Sequence, residues 1–188
     1  GRGAVETGLN SFADLSISGP IAPGILSGKI AAYWNEDEGW FENDFDGSQH
    51  GQSETGILRG ALRLTPNNNF EMILRAEQGN ITGDGPAGQN HARFSRDSFD
   101  FSINNRGFSD GAWEQAILET NWDVGFGDGT ITNITGYRAY DGRSGGDIDA
   151  YTLSAFHSRA LIEQSQWSNE LRYAGTFGPV DVVAGHYM

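Results

Sequence analysis

Cysteine is missing from the 188-residue sequence, so neither a disulfide framework nor a thiolate metal site is available. No run of about 18 apolar residues occurs, which excludes a transmembrane helix but not transmembrane strands, since these never show such a run. Basic residues are few: 12 Lys and Arg stand against 25 Asp and Glu, giving a net charge of −13. Because so acidic a chain would repel nucleic acid, we expect no nucleic-acid partner.

Signals of catalysis are also missing. The four histidines, His50, His91, His157 and His186, lie in different segments without the spacing of a zinc or metalloprotease motif. No serine has the G-x-S-x-G context of a hydrolase nucleophile. The sequence therefore predicts no catalytic residue and no enzyme.

Glycine and strand-forming residues are abundant. The 27 glycines argue against a helical protein, because glycine disfavours helix interiors. Apolar and polar residues alternate with a period of two in most of the apolar segments, which is typical of strands with one dry and one wet face. Alternation and β-propensity together predict about eight strands, near residues 11–19, 25–34, 57–64, 70–78, 114–124, 130–140, 166–174 and 180–188.

Opposite charges fall on the wet faces of two neighbouring predicted strands. Arg59 and Arg63 occupy one strand, and Glu71 and Glu77 occupy the next. Cross-strand pairs of this kind suit a hydrated interior, although each contributes only a few tenths of a kcal/mol to about 1 kcal/mol.

The connections alternate between short and long. Tight links rich in Gly, Pro, Asn and Asp separate long polar stretches at roughly residues 35–55, 78–112 and 141–163. Outer-membrane barrels have short turns at one end and long loops at the other. We therefore predict an all-β fold, an antiparallel up-and-down meander that forms a segment of an outer-membrane β-barrel.

Aromatic residues gather where the predicted strands meet loops. We interpret the group formed by Trp34, Trp40, Phe41, Trp113 and Trp122 mainly as an aromatic girdle at the membrane interface. Ligand stacking is the alternative, and within "DEGWFEND" at 37–44 it makes Trp40 and Phe41 candidate ligand-binding residues. Packing inside the loop is a third explanation for these two rings.

The same acidic loop is a candidate calcium site. Glu42, Asp44 and Asp46 alternate before Gly47, as in the first half of an EF-hand loop, but Ser53 stands where that loop needs a bidentate carboxylate. A solvated acidic loop is the simpler interpretation. The acidic segment at 141–149 allows the same two interpretations, and no other cofactor is expected.

Five segments carry a resemblance to a known family. In order they are "LSISGPI", "GKIAAYWNEDEGWFEND", "RGALRLTPNNNFEMILRAE", "GTITNITGYRAYD" and "QWSNELRYAGTFGPVDVVAGHYM". Together they cover most of the chain, which resembles part of the barrel of a TonB-dependent outer-membrane receptor. The resemblance implies that residues 1–188 form one segment from the N-terminal portion of a larger barrel, without the plug domain and without a signal peptide.

This resemblance also implies a function. Members of the TonB-dependent receptor family reside in the bacterial outer membrane, contact lipid, and take up a scarce ligand such as a ferric siderophore, a vitamin or a glycan. This segment would supply barrel wall and extracellular loops, while TonB would act through the plug. A small self-contained outer-membrane barrel and a soluble carbohydrate-binding β-sandwich are the alternatives.

Overall fold

Nine strands form a single antiparallel sheet in the computed structural model, which describes the backbone of residues 2–6 and 10–188 and the side chains from residue 10 onward. The strands are β1 (Arg2–Glu6), β2 (Asn10–Ala22), β3 (Leu26–Asp37), β6 (Ser53–Asn67), β7 (Phe70–Gly83), β8 (Phe108–Val124), β9 (Gly129–Asp147), β10 (His157–Phe177) and β11 (Val180–Tyr187). A separate two-stranded sheet contains β4 (Phe41–Glu42) and β5 (Gln49–His50). Within the sheet, each strand pairs only with the strands next to it in the chain, so the fold is an up-and-down meander.

The eight predicted strands correspond to β2, β3 and β6 to β11, and β1 was not predicted. The prediction of long loops was wrong in extent, because the strands continue into polar sequence. The stretch predicted at 141–163 shrinks to a loop of residues 148–156, since β9 and β10 stay paired as far as Asp147 and His157. Polar residues are compatible with an antiparallel strand, since its faces need not both be apolar.

Tight turns join the strands at the other end of the sheet. Gly24 and Gly178 have positive φ angles of 78° and 64°, which a residue without a Cβ adopts readily. A 3-10 turn at Phe126–Asp128 connects β8 to β9. The predicted alternation of short and long connections is thus confirmed.

One face of the sheet is apolar and uncovered in the described structure. The strand register aligns Ile17 with Ile30, and continues the row through Gly60, Ala76 and Ala116. The Ile17 side chain is 74% exposed. In a soluble sandwich, a second large sheet would pack on this face. Among the described residues, however, the nine strands β1 to β3 and β6 to β11 all belong to one sheet. Its edges are β1 and β11, so the described strands do not close into a small barrel.

The opposite face is polar and carries cross-strand ion pairs. Arg59 pairs with Glu77, and Arg63 pairs with Glu71. These contacts confirm the predicted match of charges between the two strands. A third pair joins β7 to β8, where Arg75 Nη1 lies 3.0 Å from Glu119 Oε2.

The aromatic residues divide between the two faces. Trp34 and Trp122 lie on the apolar face, as a girdle requires, and so does Trp167, which is 70% exposed. Trp113 lies on the polar face, opposite Tyr140, so the girdle interpretation was wrong for this residue. Its position follows from the two-residue period, since Trp113 stands between Ala112 and Glu114 of the other face.

No helix among the described residues is long and apolar enough to cross a membrane.

Candidate functional site

Three loops at one end of the sheet form the candidate site. They comprise residues 38–52, 84–107 and 148–156, and we call them the cap. They lie together because an up-and-down meander returns every second connection to the same end. Apart from glycines, the buried residues of the described chain belong to the cap or to the strand ends beside it, and Ile103 is only 1% exposed.

A buried asparagine joins the first two loops. The Asn43 Nδ2 donates to the Ile103 carbonyl at 2.9 Å, and the Ile103 N–H donates to Asn43 Oδ1 at 3.0 Å. The Asp44 N–H also donates to the Phe101 carbonyl at 3.0 Å. Asn43 therefore satisfies both the N–H and the C=O group of Ile103, as a neighbouring strand would do in a sheet.

A second junction surrounds Asp84 and His50. The Asp84 carboxylate accepts the N–H groups of Gly51 and Gln52, each at 2.9 Å, and pairs with the Arg106 guanidinium. The buried His50 ring places Nε2 3.0 Å from the Gly85 carbonyl. Burial alone would raise the pKa of Asp84, but the bonds from Arg106 and Gln52 outweigh it and hold the pKa below the ordinary value of 3.8.

This depressed pKa makes the cap sensitive to acid. The carboxylate binds a proton more weakly in the folded cap than in an unfolded loop, so it stabilises the cap fully above pH 3.8. We expect that stabilisation to be lost as the pH falls through the lower, folded-state pKa. Exchange of the Gly51 and Gln52 amides, corrected for the intrinsic rate at each pH, measures the loss. In the Asp84→Asn variant, the free energy of cap opening should be lower at neutral pH and should vary less with pH. A pH dependence identical to that of the unmodified protein would contradict this role of Asp84.

The third loop is tied to the second by Asp147 and Asn104. Asp147 Oδ2 accepts the Asn104 N–H at 3.1 Å, and Asp147 Oδ1 accepts the Ala150 N–H at 2.9 Å. The His157 Nε2 lies 2.9 Å from Asn104 Oδ1. The three loops are therefore bonded into one unit.

Trp40 and Phe41 belong to an aromatic cluster of the cap. Their ring centroids are 4.1 Å apart and the ring planes are stacked at 27° to each other; Trp40 also meets Phe99 edge-on at 5.5 Å. Phe41 contacts Phe101, which is buried. Trp40 and Phe99 are 59% and 71% exposed, so the cluster has a buried side and an open side. Phe41 lies between the buried and the open side, whereas the Trp40 ring is largely exposed. Ligand binding by Trp40 and Phe41 stays a prediction.

The acidic residues of the predicted calcium loop are exposed. Glu42, Asp44 and Asp46 flank a turn in which Asp46 Oδ1 accepts the Ser48 N–H at 3.0 Å and the Ser48 hydroxyl at 2.7 Å. These two bonds lower the pKa of Asp46. Throughout the described chain, no three His, Asp or Glu residues are grouped as a metal site would require. Calcium binding here stays a prediction.

Several residues that build the cap carry no local sequence signal. Asn43, His50 and Asp84 lie in stretches that favour loops, and their partners are about 20 to 60 residues away in the chain. Phe99 and Phe101 alternate in polar sequence without a periodic pattern long enough to indicate a strand.

The open meander, with one apolar face, one ion-paired face and its long loops at one end, defines a segment of a transmembrane-type β-barrel. Among solved structures, the chain is similar to the ferric yersiniabactin uptake receptor FyuA from Yersinia pestis, with a TM-score of 0.82 and 21% sequence identity. The match covers 98% of this chain and 29% of that receptor, so the chain spans less than a third of its length. The likeness confirms the predicted fold, an antiparallel up-and-down meander that forms a segment of a β-barrel.

No protein-family model and no curated protein matches the chain.

Proposed function

We propose that the chain is part of a TonB-dependent receptor of the bacterial outer membrane, where it supplies barrel wall and extracellular loops for the uptake of a scarce ligand. A ferric siderophore is the ligand class that we favour, and a vitamin or a glycan is the alternative. The likeness to an uptake receptor supports transport rather than enzyme activity. In this proposal TonB acts through a plug domain that belongs to the rest of the receptor.

The chemistry of the two faces is the observation that carries the proposal. The apolar face exposes side chains such as Ile17 and Trp167, which water would not favour and lipid tails would. The other face holds Arg and Glu in pairs, which suits a hydrated lumen. We therefore assign the apolar face to lipid, the polar face to the lumen and the cap to the extracellular side.

Neighbouring residues on opposite faces test this assignment. We expect Ile17→Arg to destabilise the receptor in the membrane by about 2–3 kcal/mol, because an arginine near the bilayer midplane lacks hydration. Ser18→Arg, one residue along on the lumen face, is the matched control and should be tolerated. The readout is the fraction of receptor that migrates as the folded form in unheated electrophoresis of outer membranes. Equal losses for both variants would refute the assignment.

The cap would contribute to ligand recognition through the open side of its aromatic cluster. Trp40 is preorganised for this role, since Phe41 and Phe99 hold its ring without covering it. Stacked and edge-on aromatic contacts contribute about 0.5–1.5 kcal/mol each beyond the buried area.

We expect Trp40→Ala to weaken binding of the transported ferric chelate by about fivefold, since one such aromatic contact is lost. Binding is measured with ⁵⁵Fe-loaded siderophores on cells that lack other receptors. Trp122→Ala, on the apolar face near the tight turns, is the control and should bind normally. Normal affinity in the Trp40 variant would limit that residue to a structural role.

A further inference from the structure

Three polar side chains interrupt the apolar face of the sheet on β9 and β10. The apolar row that crosses β8 continues through Tyr137 in β9 and Trp167 in β10. Asn133 and Thr135 stand four and two residues before Tyr137, and Asn169 stands two residues after Trp167. Because the side chains of a strand alternate between its faces, all three polar side chains lie on the apolar face. We call these three residues the polar cluster.

Hydrogen bonds fix the geometry of the polar cluster. Asn169 Nδ2 donates to Thr135 Oγ1 at 2.8 Å, and Thr135 Oγ1 donates to Asn133 Oδ1 at 3.1 Å. Asn133 Nδ2 donates to the Glu170 carbonyl at 3.0 Å. The three residues are half-buried, so each keeps part of its surface exposed on the face that we assign to lipid.

Aromatic residues on both sides indicate the depth of the polar cluster in the membrane. Toward the cap, Trp167 packs on Tyr137 with 4.7 Å between the ring centroids. Toward the tight turns, Tyr173 packs on Phe126 at 5.9 Å, and Asn169 lies between Trp167 and Tyr173 along β10. Since Trp and Tyr rings favour the two headgroup levels, the polar cluster lies at the level of the lipid tails.

Matched positions on other strands carry aliphatic side chains. The fifth residue of β3, β7 and β9, each counted from its tight turn, is Ile30, Leu74 and Asn133, respectively. The seventh residue is Ala32, Ala76 and Thr135. At a strand tilt of about 45°, the fifth residue stands about 10 Å above the turn, inside an apolar band about 25 Å tall. The polar cluster thus occupies a depth at which β3 and β7 are apolar.

Bonding between β9 and β10 is the simpler explanation of the polar cluster, because side-chain hydrogen bonds across two strands stabilise the wall. This explanation accounts for the contacts within the cluster. It does not account for the place of the cluster among lipid tails, where an amide loses hydration that an aliphatic side chain does not need. In helical membrane proteins, Asn and Thr side chains at this depth join one protein segment to another.

A second copy of the chain matches the polar cluster in chemistry and in depth. A carboxamide both donates and accepts hydrogen bonds, so Asn133 and Asn169 can pair with the same residues of another copy without any complementary charge. Two copies that share one orientation in the membrane are related by a twofold axis along the membrane normal. Such an axis preserves depth and therefore brings the polar cluster against itself, with the neighbouring Leu118 and Leu171 as an apolar rim. A lipid headgroup, by contrast, lies at the level of the aromatic rings.

We propose that the polar cluster is the centre of an interface through which two copies of the receptor pair side by side in the outer membrane. The copies meet along β9 and β10, where amide and hydroxyl groups of one copy bond to those of the other. The inference goes beyond the proposed uptake function, and it depends only on the assignment of the apolar face to lipid.

Cysteine crosslinking of the complete receptor in outer membranes tests this interface. Asn133→Cys, Thr135→Cys and Asn169→Cys are made singly in a receptor that has no other cysteine, and the membranes are then oxidised. A disulfide needs Cα atoms within about 7 Å, so a cysteine near the twofold axis should give a dimer in non-reducing electrophoresis. Ala76→Cys, at the position of β7 that matches Thr135, is the control and should stay monomeric. If none of the three cluster variants gives more dimer than this control, the proposal is wrong.

A double substitution distinguishes an interface from a brace between strands. Asn133→Leu combined with Asn169→Leu should raise the dissociation constant of the dimer in detergent by about tenfold or more, because hydrogen bonds from both copies are lost. Sedimentation equilibrium measures this constant. The folded monomer should resist heat as well as the unmodified receptor does, since leucine suits this depth in the membrane. Asn121→Leu is the control, because Asn121 accepts the Thr132 hydroxyl at 2.8 Å on the lumen face and its loss should leave the dimer unchanged.

The remaining outcomes are also decisive. If the double variant keeps the dissociation constant of the unmodified receptor and unfolds at a lower temperature, the polar cluster is only a brace between β9 and β10. If the cysteine variants crosslink to a different protein, or if the receptor is monomeric in both membranes and detergent, pairing of two copies is contradicted. Uptake of ⁵⁵Fe by such a monomeric receptor would leave the proposed uptake function in place.

Discussion

Asn43→Ala is expected to open the cap while leaving the barrel wall intact. The substitution removes a donor and an acceptor that satisfy the buried N–H and C=O of Ile103 at 3.0 and 2.9 Å. Leaving a buried backbone group unpaired costs about 1–3 kcal/mol, so we expect a combined loss of about 3–5 kcal/mol in the free energy of cap opening. Native-state hydrogen exchange of the Asp44 and Ile103 amides measures this loss.

Asn90→Ala is the matched control for this prediction. Asn90 lies in the second loop of the cap, as Ile103 does, but its side chain belongs to an exposed turn in which Oδ1 accepts the Ala92 N–H at 3.0 Å. Removing the Asn90 side chain should change the free energy of cap opening by less than about 1 kcal/mol, as substitutions at other surface positions do. Similar effects of the two substitutions would show that Asn43 does not hold the loops together.

The wall of the barrel could be predicted from sequence because each strand carries its own pattern. Leu58, Leu62 and Leu64 alternate with arginines, and this period fixes both the strand and the face that each residue occupies. Even the ion pair between Arg59 and Glu77 follows from register, once the tight turn between the strands is recognised.

Strand ends were harder to predict, since polar sequence does not stop a strand whose backbone pairs with a neighbouring strand. The segment from Asp141 to Asp147 contains three glycines and three charged residues, and nevertheless pairs with β10 throughout. Pairing with β10 supplies backbone hydrogen bonds along the whole segment, which matters more than the weak strand propensity of its residues.

The cap was not predictable in the same way. Its structure depends on single contacts between residues far apart in the chain, such as Asn43 with Ile103 and His50 with Gly85. Trp40 and Phe41 were recognised by composition, but only the structure separates the exposed ring from the one that packs on Phe101. Trp113 was assigned to the wrong face because its position at a strand end resembled that of Trp34.

Gly107→Ala should detach the cap from the sheet. Gly107 has a φ of 70°, and a Cβ on it would lie 2.2 Å from the Gly145 carbonyl oxygen and 2.9 Å from Gly146 Cα. Both neighbours are backbone atoms of β9, so they cannot move aside as a flexible side chain would. The left-handed conformation costs an L-residue about 1–2 kcal/mol, and we expect a total of roughly 3–5 kcal/mol once strand displacement is included.

Gly24→Ala separates the cost of the left-handed backbone conformation from the cost of displacing the neighbouring strand. Gly24 also has a positive φ, 78°, but nothing lies within 4 Å of a Cβ built on it. Its substitution should therefore cost only the conformational term of about 1 kcal/mol. We expect urea unfolding to report the smaller loss, and exchange of the Gly85 and Phe108 amides to report faster cap opening only in the Gly107 variant. If both variants lose the same stability, backbone conformation alone explains Gly107, and the close approach of the second loop to β9 does not hold the cap on the sheet.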